Sequence, residues 1–366
     1  MKKEYMVRQT LNKFFFERNS SENTQQGYVT ATVHFEKLTG MNIDDMIITA
    51  KKEKGIEWED TQLYSWLISY RNYVYSIYKE GTAKKYFGNI KTLFRHNRIT
   101  IGDLPYFSTK QVRKAEEIDY EDLPNREMLK KAIEVKNPLL KAMTLFMSSS
   151  GISRTDCLNL TIQNYLDSTF EYHHTNNIYD AIKQMDKSEA SIIPIFKLKR
   201  IKTGETYRTF ASPESVKAIN NYLLSRELLE NTDRLFEIDS RYVNDLFKQT
   251  NDLLGFGQIN GRSRFCPQLL RSYHASQLAE AGMTDSLIDL LQGRKPSSIA
   301  RRHYIRVKRE KLKEEYIRCL PYIVVEDIEE IRTELEIVKE ENKDLKEKQS
   351  QCDDIIMRLK RLEEMQ

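Results

Sequence analysis

Residues 267–282 read PQLLRSYHASQLAEAG, and residues 283–304 continue MTDSLIDLLQGRKPSSIARRHY. Apolar positions three and four apart predict a helix from Pro267 to Ala281, with proline tolerated at its start and Gly282 as its stop. Thr284 then reads as the N-cap of a shorter apolar helix that runs through Leu291. Gly293 ends that helix and puts Arg294 on the corner, ten residues before Tyr304.

Working outward, the chain reads as mainly helical with a small β-hairpin, an α+β class. Residues 1–100 have helical spacing in Phe14–Phe16, Tyr28–Leu38, Leu63–Tyr78 and Tyr86–Phe94, which fits four or five helices. Asn23-Thr24 and Thr82 read as helix starts and Gly40 as a stop. Residues 101–124, with Gly102, Pro105, Pro124 and the charged run Lys110–Asp122, read as a linker. Arg126–Phe146 reads as one helical run, followed by a Gly151 corner and a new start at Ser153. Ser191–Ile195 and Thr206–Ala211 favour strands around the turn Lys202-Thr203-Gly204-Glu205. Helices resume over Ser212–Leu224, Ser240–Leu254 and Ser297–Val307 in addition to the two above. Residues 125–321 form the second domain of this reading.

Residues 322–366 repeat in sevens, with Ile328, Leu335, Asn342, Gln349 and Ile356 in one row and Ile331, Val338, Leu345, Cys352 and Leu359 in the other. That is the pattern of a C-terminal coiled coil, and Asn342 favours a two-stranded pair. A solvated single helix with i,i+4 charge pairs is the alternative.

A chain of 366 residues exceeds what one core usually organises. With 40% hydrophobic residues and no apolar run of about 18, it is not expected to cross a membrane. Phe14–Phe16 are enclosed by charge and lack a cleavage site, so the start reads as a mature cytoplasmic N-terminus. Cys157, Cys266, Cys319 and Cys352 are scattered, which signals neither a disulfide framework nor a zinc site. Overall charge is +4, yet residues 322–366 hold 8 Lys+Arg against 14 Asp+Glu, so the body is basic and the tail acidic. The run Arg294–Lys313 contains nine Lys+Arg and one acid, Glu310, which suits phosphate contact as well as a solvated helix face.

Five elements in order, Gly151-Ile152-Ser153-Arg154, Lys202-Thr203-Gly204, Gln268-x-x-Arg271, Gly293-Arg294 and Arg302-His303-Tyr304, resemble the tyrosine recombinases, most closely the archaeal integrases. The resemblance covers about residues 125–320, and residues 1–100 are similar to the family's helical core-binding domain in length and pattern. It implies a catalytic domain in which Tyr304 attacks a DNA phosphate and forms a 3′-phosphotyrosine link. Arg154, Arg271 and Arg294 would clamp the phosphate, Gln268 would donate one hydrogen bond, and Lys202, with Lys197 and Lys199 as competitors, would protonate the leaving oxygen. Ser153 stands where most relatives carry the first arginine, Gln268 replaces the usual His or Lys, and Arg294 the commoner His.

Planar, permanently charged guanidinium forks suit the extra negative charge of a phosphodiester in flight, and a covalent phenol link removes the need for a metal or other cofactor. Double-stranded DNA is the expected partner; the resemblance implies a homotetramer on DNA, and the heptads a coiled-coil dimer between tails. The resemblance also suggests that Lys311–Pro321 docks on a neighbouring protomer. Tyr273 and Tyr316 read as packing residues, and His274 and His303 as helix-face hydrogen bonders. Relaxation of DNA in the manner of type IB topoisomerases, or DNA binding without catalysis, are the alternatives.

Overall fold

The computed structural model describes residues 8–188, 191–294 and 308–326. The chain divides into two compact units, Met1–Glu117 and Ile118–Gln366.

In the first unit the described helices are α1 (Gln9–Glu17), α2 (Glu22–Thr39), α3 (Ile43–Lys52), α4 (Gln62–Ile77) and α5 (Glu80–His96). Each turns one apolar stripe inward, and Phe14, Phe35, Met46, Tyr70 and Phe94 meet in one core. The Tyr70 hydroxyl satisfies itself there by donating to the Ala31 carbonyl at 3.0 Å. Asn42 and Thr61 accept from the backbone N–H three residues on, capping α3 and α4 at about 1 kcal/mol each. Asn23-Thr24 and Thr82, expected as helix starts, instead lie inside the first turns of α2 and α5. The stretch after α5 is tied down in part: Trp58 donates to the Asp103 carbonyl at 2.9 Å and Arg71 to that of Pro105 at 2.8 Å.

The second unit begins with α6 (Arg126–Glu134) and α7 (Pro138–Ser150), where the sequence had suggested one unbroken run. Pro138 explains the break: it supplies no N–H to a preceding turn and sits instead in the first turn of α7, which Asn137 caps through the Leu140 N–H. α7 is buried from Ala142 to Ser150 and is the central helix. After it come α8 (Arg154–Leu158), α9 (Ile162–Thr169) and α10 (Ile178–Met185). The strands β1 (Ile195–Lys199) and β2 (Thr206–Phe210) pair antiparallel, from Ile195 opposite Phe210 to Lys199 opposite Thr206. Then follow α11 (Pro213–Leu224), α12 (Ser240–Leu253), the two-residue strands β3 (Gln258–Ile259) and β4 (Arg262–Ser263), α13 (Pro267–Glu280), α14 (Asp285–Leu291) and α15 (Arg309–Ile323). The architecture is mainly helical with two small antiparallel hairpins.

α6, α11 and α13 pack around α7, whose Leu140, Phe146 and Met147 join Phe196, Phe236, Leu270 and Tyr273 in the main core. A second cluster joins Phe210, Leu278, Ile288, Leu291, Leu312, Tyr316 and Leu320. Each such side chain contributes about 1.5–3 kcal/mol by burial, and Leu312, Tyr316 and Leu320 anchor α15 on this cluster. Tyr316 also donates to the Ser149 carbonyl at 2.9 Å, which makes it the packing residue expected. The helix read over Ser297–Val307 and most of the coiled-coil tail lie outside the described residues. No described helix is long and apolar enough to cross a membrane.

Candidate active site

Four chain corners meet around Arg271. The first is the end of α7, where Gly151 has φ +60° and a Cβ would lie 2.4 Å from His274 Nδ1, so only glycine fits. The chain therefore turns sharply, and the Gly151 carbonyl accepts a bond of 2.6 Å from Arg271 Nη1. The second corner is the end of α14. Gly293 has φ +59°, with the Tyr207 ring 2.7 Å from where its Cβ would be. Just before it, the Gln292 carbonyl accepts from Arg271 Nη2 at 2.6 Å, and Gln292 Nε2 returns a bond of 2.9 Å to the Arg271 carbonyl.

The third corner is the β1–β2 turn. Arg200 Nη1 donates to the Gly293 carbonyl at 2.6 Å, and the Ile201 N–H donates to Asp156 Oδ1 at 3.0 Å. The fourth is the start of α8, where Ser153 caps the helix through the Asp156 N–H and its hydroxyl donates to Asp156 Oδ2 at 2.7 Å. Asp156, only 5% exposed, thereby fastens the hairpin to the α8 start; the Tyr207 hydroxyl lies 3.4 Å from the same carboxylate.

Electrostatics follow from this crowding. Burial, then the neighbouring charges of Arg294 and Arg200, pull the Arg271 guanidinium down to about 10, which still leaves it charged at neutral pH. Burial, then Arg271 and Arg294, take His274 down to about 3. His274 is therefore neutral, and its Nδ1 accepts from Gln292 Nε2 at 3.0 Å, a hydrogen-bonding role as expected. Burial, and next the Asp156 charge, push the Tyr207 phenol well above its usual value. Among the described residues no carboxylate forms an ion pair with Arg200 or Arg271, although Asp156 lies close enough to favour the Arg271 charge. Two of five guanidinium N–H groups of Arg271 are used on carbonyls, leaving donors for a tetrahedral anion.

Of the residues singled out in the sequence, Arg271 stands at the centre and Arg294 beside it, half exposed, with its guanidinium 4.0 Å from Asp289. Gln268 is exposed one helical turn before Arg271. Lys202 is exposed in the hairpin turn two residues beyond Arg200, whereas Lys197 and Lys199 occupy the solvent-facing positions of β1. Arg154 is directed elsewhere: its Nη1 donates to the Asn244 side chain on α12, because the one-residue shift from Ser153 turns it along another face of α8. Tyr304 and His303 lie outside the described residues, between Arg294 and Lys308. The sequence reading missed Arg200, Asp156, Gln292 and Tyr207. Arg200 sits in the lysine-rich stretch Lys197–Lys202, where nothing in spacing separates it from a solvated cation.

The archaeal phage integrase family model matches residues 219–322. Among solved structures, the Tn1549 transposon integrase in complex with circular intermediate DNA is 13% identical with a TM-score of 0.50, covering 84% of this chain and 97% of that one. The XerH site-specific recombinase bound to its difH substrate is 14% identical, with a TM-score of 0.48 and coverage of 83% and 82%. A lambda integrase dimer bound to a COC' core site is 15% identical, with a TM-score of 0.46 and coverage of 81% and 95%. No curated protein matches the sequence. The Tn1549 match shows a shared fold, and the archaeal phage integrase model gives the more specific likeness, over the part of the second unit that carries Arg271 and Arg294.

Proposed function

We propose that this chain is a site-specific DNA recombinase that cuts and rejoins double-stranded DNA through Tyr304. The phenol gives up its proton to water as its oxygen attacks the scissile phosphorus, the bond to the 5′-oxygen breaks, and a 3′-phosphotyrosine forms. Lys202, exposed on a turn whose base is fastened to Asp156, gives its proton to the leaving oxygen. A 5′-hydroxyl attacking the phosphotyrosine reverses the step and returns the proton, so neither ATP nor a metal enters the balance. Arg271 and Arg294 hold the non-bridging oxygens as their negative charge grows, and Gln268, on the face of α13 that carries Arg271, donates one more bond. Arg154, bonded to Asn244, reaches the phosphate only by exchanging that partner. The observation that carries the reading is the Arg271 guanidinium, fixed by two backbone carbonyls among other cations and without a paired acid.

Full strand exchange requires four protomers on paired sites. The work takes place on DNA in the cytoplasm. The test is covalent capture on a library of randomised duplexes, each nicked near the centre so that the short cleaved strand diffuses away. Adducts that vanish in Tyr304→Phe support the recombinase. Absence of adducts, with sequence-selective retention of duplex, supports a DNA-binding protein without catalysis. Relaxation of supercoiled plasmid without synapsis supports the topoisomerase-like alternative.

A further inference from the structure

We infer that Arg200, on the β1–β2 turn, is a catalytic residue whose guanidinium contacts the scissile phosphate and fills the role that the chain leaves open by carrying Ser153 where most relatives carry an arginine. The inference rests on the phosphate-transfer reading of the site and names a residue which that reading does not contain.

Three observations converge. The consecutive carbonyls of Gln292 and Gly293 accept from Arg271 Nη2 and Arg200 Nη1, each at 2.6 Å, so one two-residue corner holds both guanidinium groups side by side. Arg200 is partly buried, and its Nε atom is fully buried without a hydrogen-bond partner among the described residues. Nη1 is spent on the Gly293 carbonyl, and Nη2, which makes no hydrogen bond among the described residues, keeps donors that a phosphate oxygen can accept from. Finally, the charge of Arg200 is felt at Arg271, whereas Arg154 is bonded to Asn244 on α12. Ser153 at the α8 start serves as an N-cap and bonds Asp156, a local task that gives the phosphate no positive charge. The hairpin that ends in Lys202 therefore brings a second cation to the same phosphate.

A purely structural tie to Gly293 predicts something different from a phosphate contact, and a substrate change separates them. The duplex recovered by covalent capture is remade with a methylphosphonate at the scissile position, which removes one negative charge from the reacting group. With the ordinary phosphate, Arg200→Ala lowers the rate of adduct formation about 10²–10³-fold and Arg200→Lys less, while Arg154→Ala lowers it less than about tenfold. With the methylphosphonate, the gap between the native chain and Arg200→Ala shrinks to within about tenfold, because the charge that Arg200 neutralises is gone. An Arg200→Ala rate within threefold of native on the phosphate overturns the proposal. So does an equal defect on both substrates, which would mark Arg200 as a structural tie. In both cases the native chain still forms Tyr304-dependent adducts; failure of the native chain to form any removes the recombinase reading itself.

Discussion

Replacing Arg271 with lysine tests the centre of the site while keeping its charge. The arginine makes two bonds of 2.6 Å, to the carbonyls of Gly151 and Gln292, from two different nitrogens of one rigid plane. A single ammonium cannot reproduce both bonds and also face a phosphate, so one buried carbonyl loses its partner. Hydrogen bonds to charged groups contribute about 1.5–3 kcal/mol each, so unfolding in urea should show a loss of about that size. The transition state loses the bidentate grip as well, and removal of one aligned donor slows comparable reactions about 10²–10³-fold. DNA binding should respond differently. The salt dependence of affinity counts neutralised phosphates, so Arg271→Lys leaves its slope unchanged, and Arg271→Ala lowers it by about one unit. The assay pairs single-turnover adduct formation on a nicked duplex with binding isotherms at several salt concentrations. Cleavage within tenfold of native, or cleavage and affinity falling by the same factor, would refute the assignment of Arg271 to the transition state.

Two further outcomes follow from the corner packing. Gly151→Ala forces a left-handed φ on alanine and puts a methyl 2.4 Å from His274 Nδ1, so stability should fall by about 2–4 kcal/mol with loss of cleavage; an unchanged Tm would contradict the packing. His274 is held near 3 when folded but titrates near 6.5 when unfolded, so its contribution is whole above pH 6.5 and is lost as pH falls toward 3. Between pH 6.5 and 5 the native chain should therefore lose up to about 2 kcal/mol more than His274→Asn, and parallel pH profiles for the two would show that the imidazole is not buried neutral.

The helices around the site were legible because their signals are local. The apolar spacing and glycine stops of α13 and α14, and the Ser153 start of α8, depend on neighbours a turn away. The hairpin was legible as a hairpin, although β1 begins at Ile195 and not Ser191, since Pro194 lacks the N–H that would extend the ladder. α10 was missed, its eight residues being too short a sample of helical period within a stretch of mixed composition. At the site the division is sharper. Arg271 and Arg294 were found because each lies at a fixed offset from a motif, whereas Arg200 becomes visible only when the Gly293 carbonyl, 93 residues away in sequence, comes to meet it. Arg154 shows the converse: a register shift of one residue is small in a sequence, but it rotates a side chain by about 100° around a helix.

The two glycine corners have a consequence for how such a protein ages. Because neither admits a side chain, a substitution at Gly151 deforms an anchor of Arg271, and one at Gly293 deforms the anchor of Arg200 together with the adjacent Gln292 anchor of Arg271. Surface charges can be traded one at a time, whereas these two turns have no room for even a methyl group, so the guanidinium cluster stands or falls with them.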